Sequence, residues 1–304
     1  MMTSMSDDKE INALITLIDD PDERVYQHIR KKLMDFGYGV IPALENYWEH
    51  NKFGLSFQSR IEDLIHDIQF DHVKTGLSHW VRDGANDLLR GVLLVNRYQY
   101  PDLDEGKIRK KLYQLKQDVW LELNDGLTAF EQIRVINHIL FDVHNLSGNK
   151  KNYHAPQNSY LNNVLETGKG NPLSLSIIYI LIAEQLDVPI KGVNLPNHFV
   201  VSYLDERNLL KLIGQESPYG VMFYVNPFSR GSIFNQKEIE QFLRELKIEP
   251  RPEYFTPCDN LAIVKRLITN LIYSYEKLGN NDKIKELQEL FKSLDQDNEP
   301  KATF

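Results

Sequence analysis

The residues of this chain best equipped for chemistry gather in one stretch, Asn158 to His198. It runs from Asn158-Ser159-Tyr160 through a turn-rich loop (Thr167 to Asn171) into an apolar segment, Pro172 to Leu186. A lone histidine, His198, follows behind the pair Pro196–Asn197. An imidazole carried on a strand toward the start of a buried helix is one way to build a nucleophilic or general-base site. The hydroxyls at hand are Ser159, Ser174 and Ser176. Ser174 falls roughly 200° round the helix from Pro172 and points away from its face. Ser176 shares that face one turn deeper, where a helical serine ordinarily bonds a carbonyl one turn back. Ser159 sits in a loop, where functional residues concentrate. The single cysteine, Cys258, precedes a helix in Thr256-Pro257-Cys258-Asp259, but nothing local carries it to His198.

His198 also has a structural reading. Asn226, in Asn226-Pro227-Phe228, and Tyr160 are both candidate partners for its ring. With Asn226 as partner no negative charge stabilises the imidazolium, so His198 is expected to be neutral at pH 7. Elsewhere, His138 and Asp142 stand four apart, which is metal-ligand spacing. No third ligand follows at a diagnostic interval, and neither a metal nor a cofactor is expected. His144 is placed to close its helix against the negative end of the dipole.

The elements that must position these residues follow from periodicity. The segment from Pro172 is apolar nearly all round, which predicts a buried central helix, with Asn171 as its cap and Pro172 at its first position. Alternating strands are expected at Val188–Leu195, His198–Leu204 and Val221–Val225, with Asp205–Asn208 turning into a further strand at Leu209–Ile213. Helical stripes precede them. Asp20-Pro21-Asp22-Glu23 reads as a helix start capped by Asp20, followed by Val25, Ile29, Leu33 and Phe36. Ile41, Leu44 and Trp48 begin a second stripe, and Ile61, Leu64, Ile65 and Ile68 a third. Further helices are expected at Asp87–Tyr98, Lys107–Leu123 and Ala129–Val143. The tail returns to helix, with Asp259 capping Ile263, Leu267, Leu271 and Tyr275, Gly279 ending that run, and Ile284, Leu287 and Phe291 forming a partner. Helices first and an antiparallel sheet second make an α+β pattern.

Composition narrows the function. The chain of 304 residues carries 43 acidic against 35 basic side chains, a formal net charge of −8, which argues against a nucleic-acid partner. The basic triplets Arg30–Lys32 and Arg109–Lys111 lie on amphipathic helices and read as solvated faces. One cysteine allows no intrachain disulfide, and the first ten residues lack the parts of a signal peptide; the expectation is a cytoplasmic protein. No run of about 18 apolar residues occurs, so no membrane span is expected.

Gly170-Asn171-Pro172, Ser176, Pro196-Asn197-His198-Phe199 and Asn226-Pro227-Phe228, with Asn158-Ser159-Tyr160-Leu161 and Val164-Leu165-Glu166 upstream, resemble the SirB-type branch of the transglutaminase-like superfamily. The resemblance implies a papain/transglutaminase-like core, a buried central helix against an antiparallel sheet. This core would occupy residues 84–237, between a helical, HEAT-like region at 1–83 and a tetratricopeptide-like hairpin at 238–304. Active members of that superfamily place a cysteine at the head of the central helix, a histidine at the start of a strand and an aspartate on the next strand. Carried over, these positions are Pro172, His198 and Asn226. Asparagine can orient an imidazole, but proline has no nucleophile. The resemblance therefore implies a disarmed site in a protein that binds a protein, peptide or other ligand in a regulatory role. Asn158, Ser159, Tyr160, Asn171 and Ser176 are the candidates for lining or supporting the vestigial site. The alternative is a hydrolase or amidotransferase in which His198 activates water or a serine such as Ser159.

Overall fold

The computed structural model describes residues 5–50, 54–206, 209–212, 214 and 219–295. The head of the chain (1–4), Arg207, Asn208 and Ile213 thus lie outside the described residues. By its contacts the chain falls into two units, 1–77 and 78–304.

The first unit holds α1 (Met5–Thr16), α2 (Glu23–Asp35), α3 (Ile41–His50) and most of α4 (Leu55–Arg82). Ile15, Ile18, Leu33, Leu44, Ile61 and Leu64 are fully buried at its centre, each contributing about 1.5–3 kcal/mol of transfer free energy. The cap of α2 is Asp22 and not Asp20. The Asp22 carboxylate accepts the Arg24 N–H at 2.8 Å, while Asp20 spends its own on the Asp22 N–H, at 2.8 Å. That upstream turn delays the helix by two residues.

The second unit opens with α5 (Leu88–Gln99), α6 (Glu105–Glu122) and α7 (Ala129–Asn137). The expected continuation of α7 to Val143 is instead a π turn, His138–Val143, in which the His144 N–H reaches back to the Ile139 carbonyl. A two-residue parallel pair, β1 (Ser147–Gly148) with β2 (Lys169–Gly170), brackets α8 (Leu161–Thr167). Then comes α9 (Pro172–Glu184), of which every residue from Pro172 to Ala183 is buried. The apolar pattern demands this: a helix without a polar face has no side to give to water.

A four-stranded antiparallel sheet follows, in the order β3 (Ile190–Leu195), β4 (His198–Leu204), β5 (Val221–Asn226), β6 (Ser232–Phe234). The expected strand at Leu209 is a helical turn, α10 (Leu209–Leu212), because the Asp205 carboxylate accepts the Leu209 and Leu210 N–H groups at 2.7 and 3.0 Å and caps it. The chain ends in α11 (Gln236–Glu245), α12 (Asn260–Leu278) and α13 (Asn281–Ser293). Val193, Leu195 and Val200 on one face of the sheet pack with Ile239 and Leu243 of α11. On the other face the Phe199 ring lies close to Gly192 and to Ile180 of α9. A mixed architecture with helical flanks around a buried helix and an antiparallel sheet is the α+β arrangement expected.

Candidate functional site

His198 is placed by a tight turn. Leu195 pairs with His198 across the β3–β4 hairpin, leaving Pro196 and Asn197 as the two linking residues. Asn197 has φ +57°, so proline at the first central position and a left-handed asparagine at the second give the chemistry of a type II turn. The turn sets His198 in the wall of a cleft of about 640 Å³. Three other walls complete it: the head of α9 (Pro172, Leu173), the Tyr153–His154 loop, and Arg266 and Tyr273 of α12.

The imidazole is half-buried among carbon. The ring of Phe228 stands edge-on at 6.3 Å between centroids and that of Phe242 at 6.4 Å. Burial pushes the His198 pKa below its ordinary value; the facing Asn226 carboxamide favours the protonated form and the Arg266 guanidinium opposes it. The net direction is down, which leaves the ring neutral at pH 7. Asn226 also accepts the Ser229 N–H at 3.2 Å. Among the described residues no hydroxyl or thiol hydrogen-bonds to His198.

The other candidate residues divide cleanly. Pro172 lines the cleft at the first position of α9, with Asn171 as cap: Asn171 Oδ1 accepts the Ser174 N–H at 2.9 Å, and Ser174 Oγ accepts the Asn171 N–H at 3.0 Å. Ser176 Oγ donates to the Pro172 carbonyl at 2.8 Å, one turn back. Ser159 Oγ accepts from the Asn171 carboxamide at 2.9 Å and does not line the cleft. Asn158 is buried beneath the loop, donating to the carbonyls of Asn152 (2.6 Å) and Tyr153 (3.1 Å) and accepting from Asn149 (2.9 Å). Gly170 permits this crowding, since a Cβ there would lie 2.6 Å from Ser174 Oγ. Asn158, Ser159, Asn171, Ser174 and Ser176 thus form a buried polar hub that seats α9, with only Asn171 touching both hub and cleft.

Tyr160 goes elsewhere. Its hydroxyl meets that of Tyr275 at 3.2 Å, and Tyr275 donates to Gln99 at 2.9 Å. It is therefore a tie between the loop, α5 and α12, not a partner of His198. Cys258 is held by its N–H to the Gly192 carbonyl at 2.8 Å and lies outside the cleft lining; burial pushes its thiol up to about 12. A thiol so poor in thiolate is a weak nucleophile. Asp142 is shared between His138 (3.2 Å) and Arg230, and His144 bonds Asp118 at 2.7 Å. Among the described residues no cluster of three His, Cys, Asp or Glu is placed to hold a metal.

Periodicity missed the α12 wall. Arg266, Asn270 and Tyr273 recur at helical spacing beside the apolar stripe of Ile263, Leu267 and Leu271, and a polar second face on a packed helix was the available signal. Tyr153 and His154 had none, being placed by the buried Asn158 beneath them.

The arrangement presents a neutral imidazole, a cation and a helix N-terminus to one cavity, and among the described residues no hydroxyl or thiol is hydrogen-bonded to the imidazole. Residues 106–269 match the family model described as Transglutaminase-like superfamily. The chain is 27% identical over 209 residues to a UPF0162 protein of Xylella fastidiosa (strain 9a5c), covering 67% of this chain and 70% of that protein. It is 24% identical over 166 residues to Protein SirB1 of Salmonella typhimurium, 53% of this chain and 55% of the relative. Human F-box only protein 21 is 27% identical over 164 residues, which is 53% of this chain but 24% of that protein. No solved structure matches the chain. With more than half of its length matched, and SirB1 and UPF0162 proteins among its relatives, the chain belongs to the transglutaminase-like superfamily, in its SirB-type branch.

Proposed function

We propose that this protein is a transglutaminase-like domain without acyl-transfer chemistry, which uses the cleft to bind a peptide or small ligand in a regulatory role. One observation carries the reading. Pro172 stands at the head of α9 and lines the cavity that His198 lines, where a thiol would be needed for a thioester. The serine and threonine hydroxyls at the site are hydrogen-bonded away from the imidazole: Ser159 and Ser176 in the hub, and Thr269 and Ser274 in the cleft wall to the Lys265 and Asn270 carbonyls; Cys258 lies outside the cleft lining. A protein partner is supported by the exposed rings of Tyr113 and Trp120 on α6, at 54% and 60% accessibility, beside Leu121 at 73%. Trp48 of α3 is exposed as well, at 41%, whereas Tyr275 of α12, at 6%, is not. A reducing, cytoplasmic setting is in keeping with a lone unpaired cysteine.

The test is a screen of amide and ester substrates, including γ-glutamyl amides with and without an acceptor amine, on the wild-type chain and His198→Ala. The expected result is no turnover that depends on His198. Turnover abolished by His198→Ala would return the protein to the hydrolase or amidotransferase class.

A further inference from the structure

Arg266 carries a fixed positive charge into the cleft, and no carboxylate answers it. Of its five N–H donors, Nε–H goes to Asn270 Oδ1 at 3.2 Å, and Nη1 serves Asn194 Oδ1 at 2.9 Å and the Leu195 carbonyl at 3.3 Å. Nη2 donates to no acceptor among the described residues. Burial holds the guanidinium pKa below its ordinary value, and it makes no ion pair to Asp or Glu among the described residues. The other half-buried arginines among the described residues are treated differently: Arg30, Arg60 and Arg97 each meet a carboxylate. Arg266 alone of these four has none, and no Asp or Glu lines the cleft. A half-buried charge left unpaired costs free energy that a ligand of opposite charge recovers.

The surroundings narrow that ligand. The head of α9 adds the positive end of a helix dipole to the same cavity. With His198 neutral, the formal charge facing the ligand from Arg266 and His198 is a single positive one, which suits a monoanion better than a phosphate dianion. The same cavity is lined by a chain of edge-to-face rings, Tyr153–His154 at 5.0 Å and His154–Tyr273 at 5.2 Å between centroids. Their carbon faces suit an apolar or aromatic group next to the anion. The cavity volume of about 640 Å³ lies within the range of small-ligand sites.

The geometry points to a carboxylate-binding cleft. Arg266 Nη2 holds a monoanionic carboxyl group, and the Tyr153–His154–Tyr273 rim holds the apolar or aromatic group beside it, as at the free end of a peptide. The inference rests on the cleft being a ligand site, as proposed above, and adds the ligand's chemistry.

Calorimetric titration of the full chain with acetyl-Gly-Gly-Phe, the same peptide as its C-terminal amide, N-acetylphenylalanine and phenyl phosphate tests it. The acid is expected to bind at least tenfold tighter than the amide, a ratio in the range of one hydrogen bond to a charged group. Arg266→Gln should erase that ratio and Arg266→Lys retain part of it, with thermal unfolding run on each variant. Tighter binding of the peptide acid than of N-acetylphenylalanine assigns a peptide end; equal binding assigns a small free acid. Amide binding equal to acid, tighter binding of phenyl phosphate, or no acid binding at millimolar concentration overturns the inference. The acid-against-amide comparison on the unaltered chain decides even where Arg266→Gln does not fold. Peptide binding without acid preference overturns the carboxylate alone and leaves the proposed ligand site standing. Turnover lost in His198→Ala overturns the absence of catalysis and leaves the carboxylate question to the titration.

Discussion

The hub beneath α9 and the cleft at its head meet at Asn171, yet they treat polar groups in opposite ways. In the hub, Asn158, Ser159, Asn171 and Ser174 are 3, 2, 7 and 1% exposed, and their side chains answer one another or a backbone group. In the cleft, Arg266 and His198 are half-buried, and Arg266 keeps donors to spare. Paired and buried, polar groups fix one arrangement of the chain; facing a cavity with donors unspent, they are available to something else. The difference teaches where to look for function in this superfamily member, whose central helix begins with proline.

Substitutions on the two sides should break this contrast or sharpen it. The largest effect belongs to Asn158→Leu. It strands the Asn152 and Tyr153 carbonyls and the Asn149 carboxamide, at about 1–3 kcal/mol for each buried unsatisfied group. A loss of about 3 kcal/mol or more in urea unfolding is expected; a loss under about 1 kcal/mol would show that water substitutes freely and that the hub is not the rigid side. Gly170→Ala comes next. Its Cβ would press on Ser174 Oγ at 2.6 Å, and overpacking of this kind costs about 1–3 kcal/mol. An unchanged unfolding midpoint would refute the close approach.

Tyr160→Phe removes one hydrogen bond at the 3.2 Å contact with Tyr275, which keeps its bond to Gln99. About 1 kcal/mol is expected, with ligand affinity in the cleft unaltered. A changed affinity at equal stability would mean that the tyrosine tie and the cleft are coupled.

The smallest effect is on the cleft side and appears only as a function of pH. Among Asn226, Phe228, Phe242 and Arg266, His198 has a folded pKa below the ordinary 6.5. The unfolded chain therefore binds its proton first, and stability falls as pH drops through about 6.5 toward the folded value. Above that window both states are neutral and nothing is lost. His198→Gln should unfold within about 1 kcal/mol of wild type at pH 8 and lose less between pH 7 and pH 5. Identical slopes in the two proteins would place the acid sensitivity elsewhere.

Much of the site was legible because its signals are local. Asn171 before Pro172 reads as a cap and first turn from any window of a few residues, and the helix forms as read. Pro196–Asn197 before an alternating run marks a hairpin, and His198 opens its second strand. The Ser176 bond to the Pro172 carbonyl follows from a buried helical hydroxyl with nowhere else to donate. Errors came where two local readings competed. Asp20 and Asp22 are both good caps, and the strand expected at Leu209 lost to a carboxylate four residues upstream.

The sequence by itself determined that the first residue of the central helix carries no nucleophile, since proline offers none in any fold, and that the helix is buried on all sides. Only the tertiary structure decided what stands around that head. Arg266 reaches the cleft because α12 packs beside it, Tyr160 turns to Tyr275 and away from His198, and Cys258 is pinned to β3 by the Gly192 carbonyl. Each of these joins residues far apart in sequence. The free energy that selects them is the packing of whole helices, which no short window of residues records.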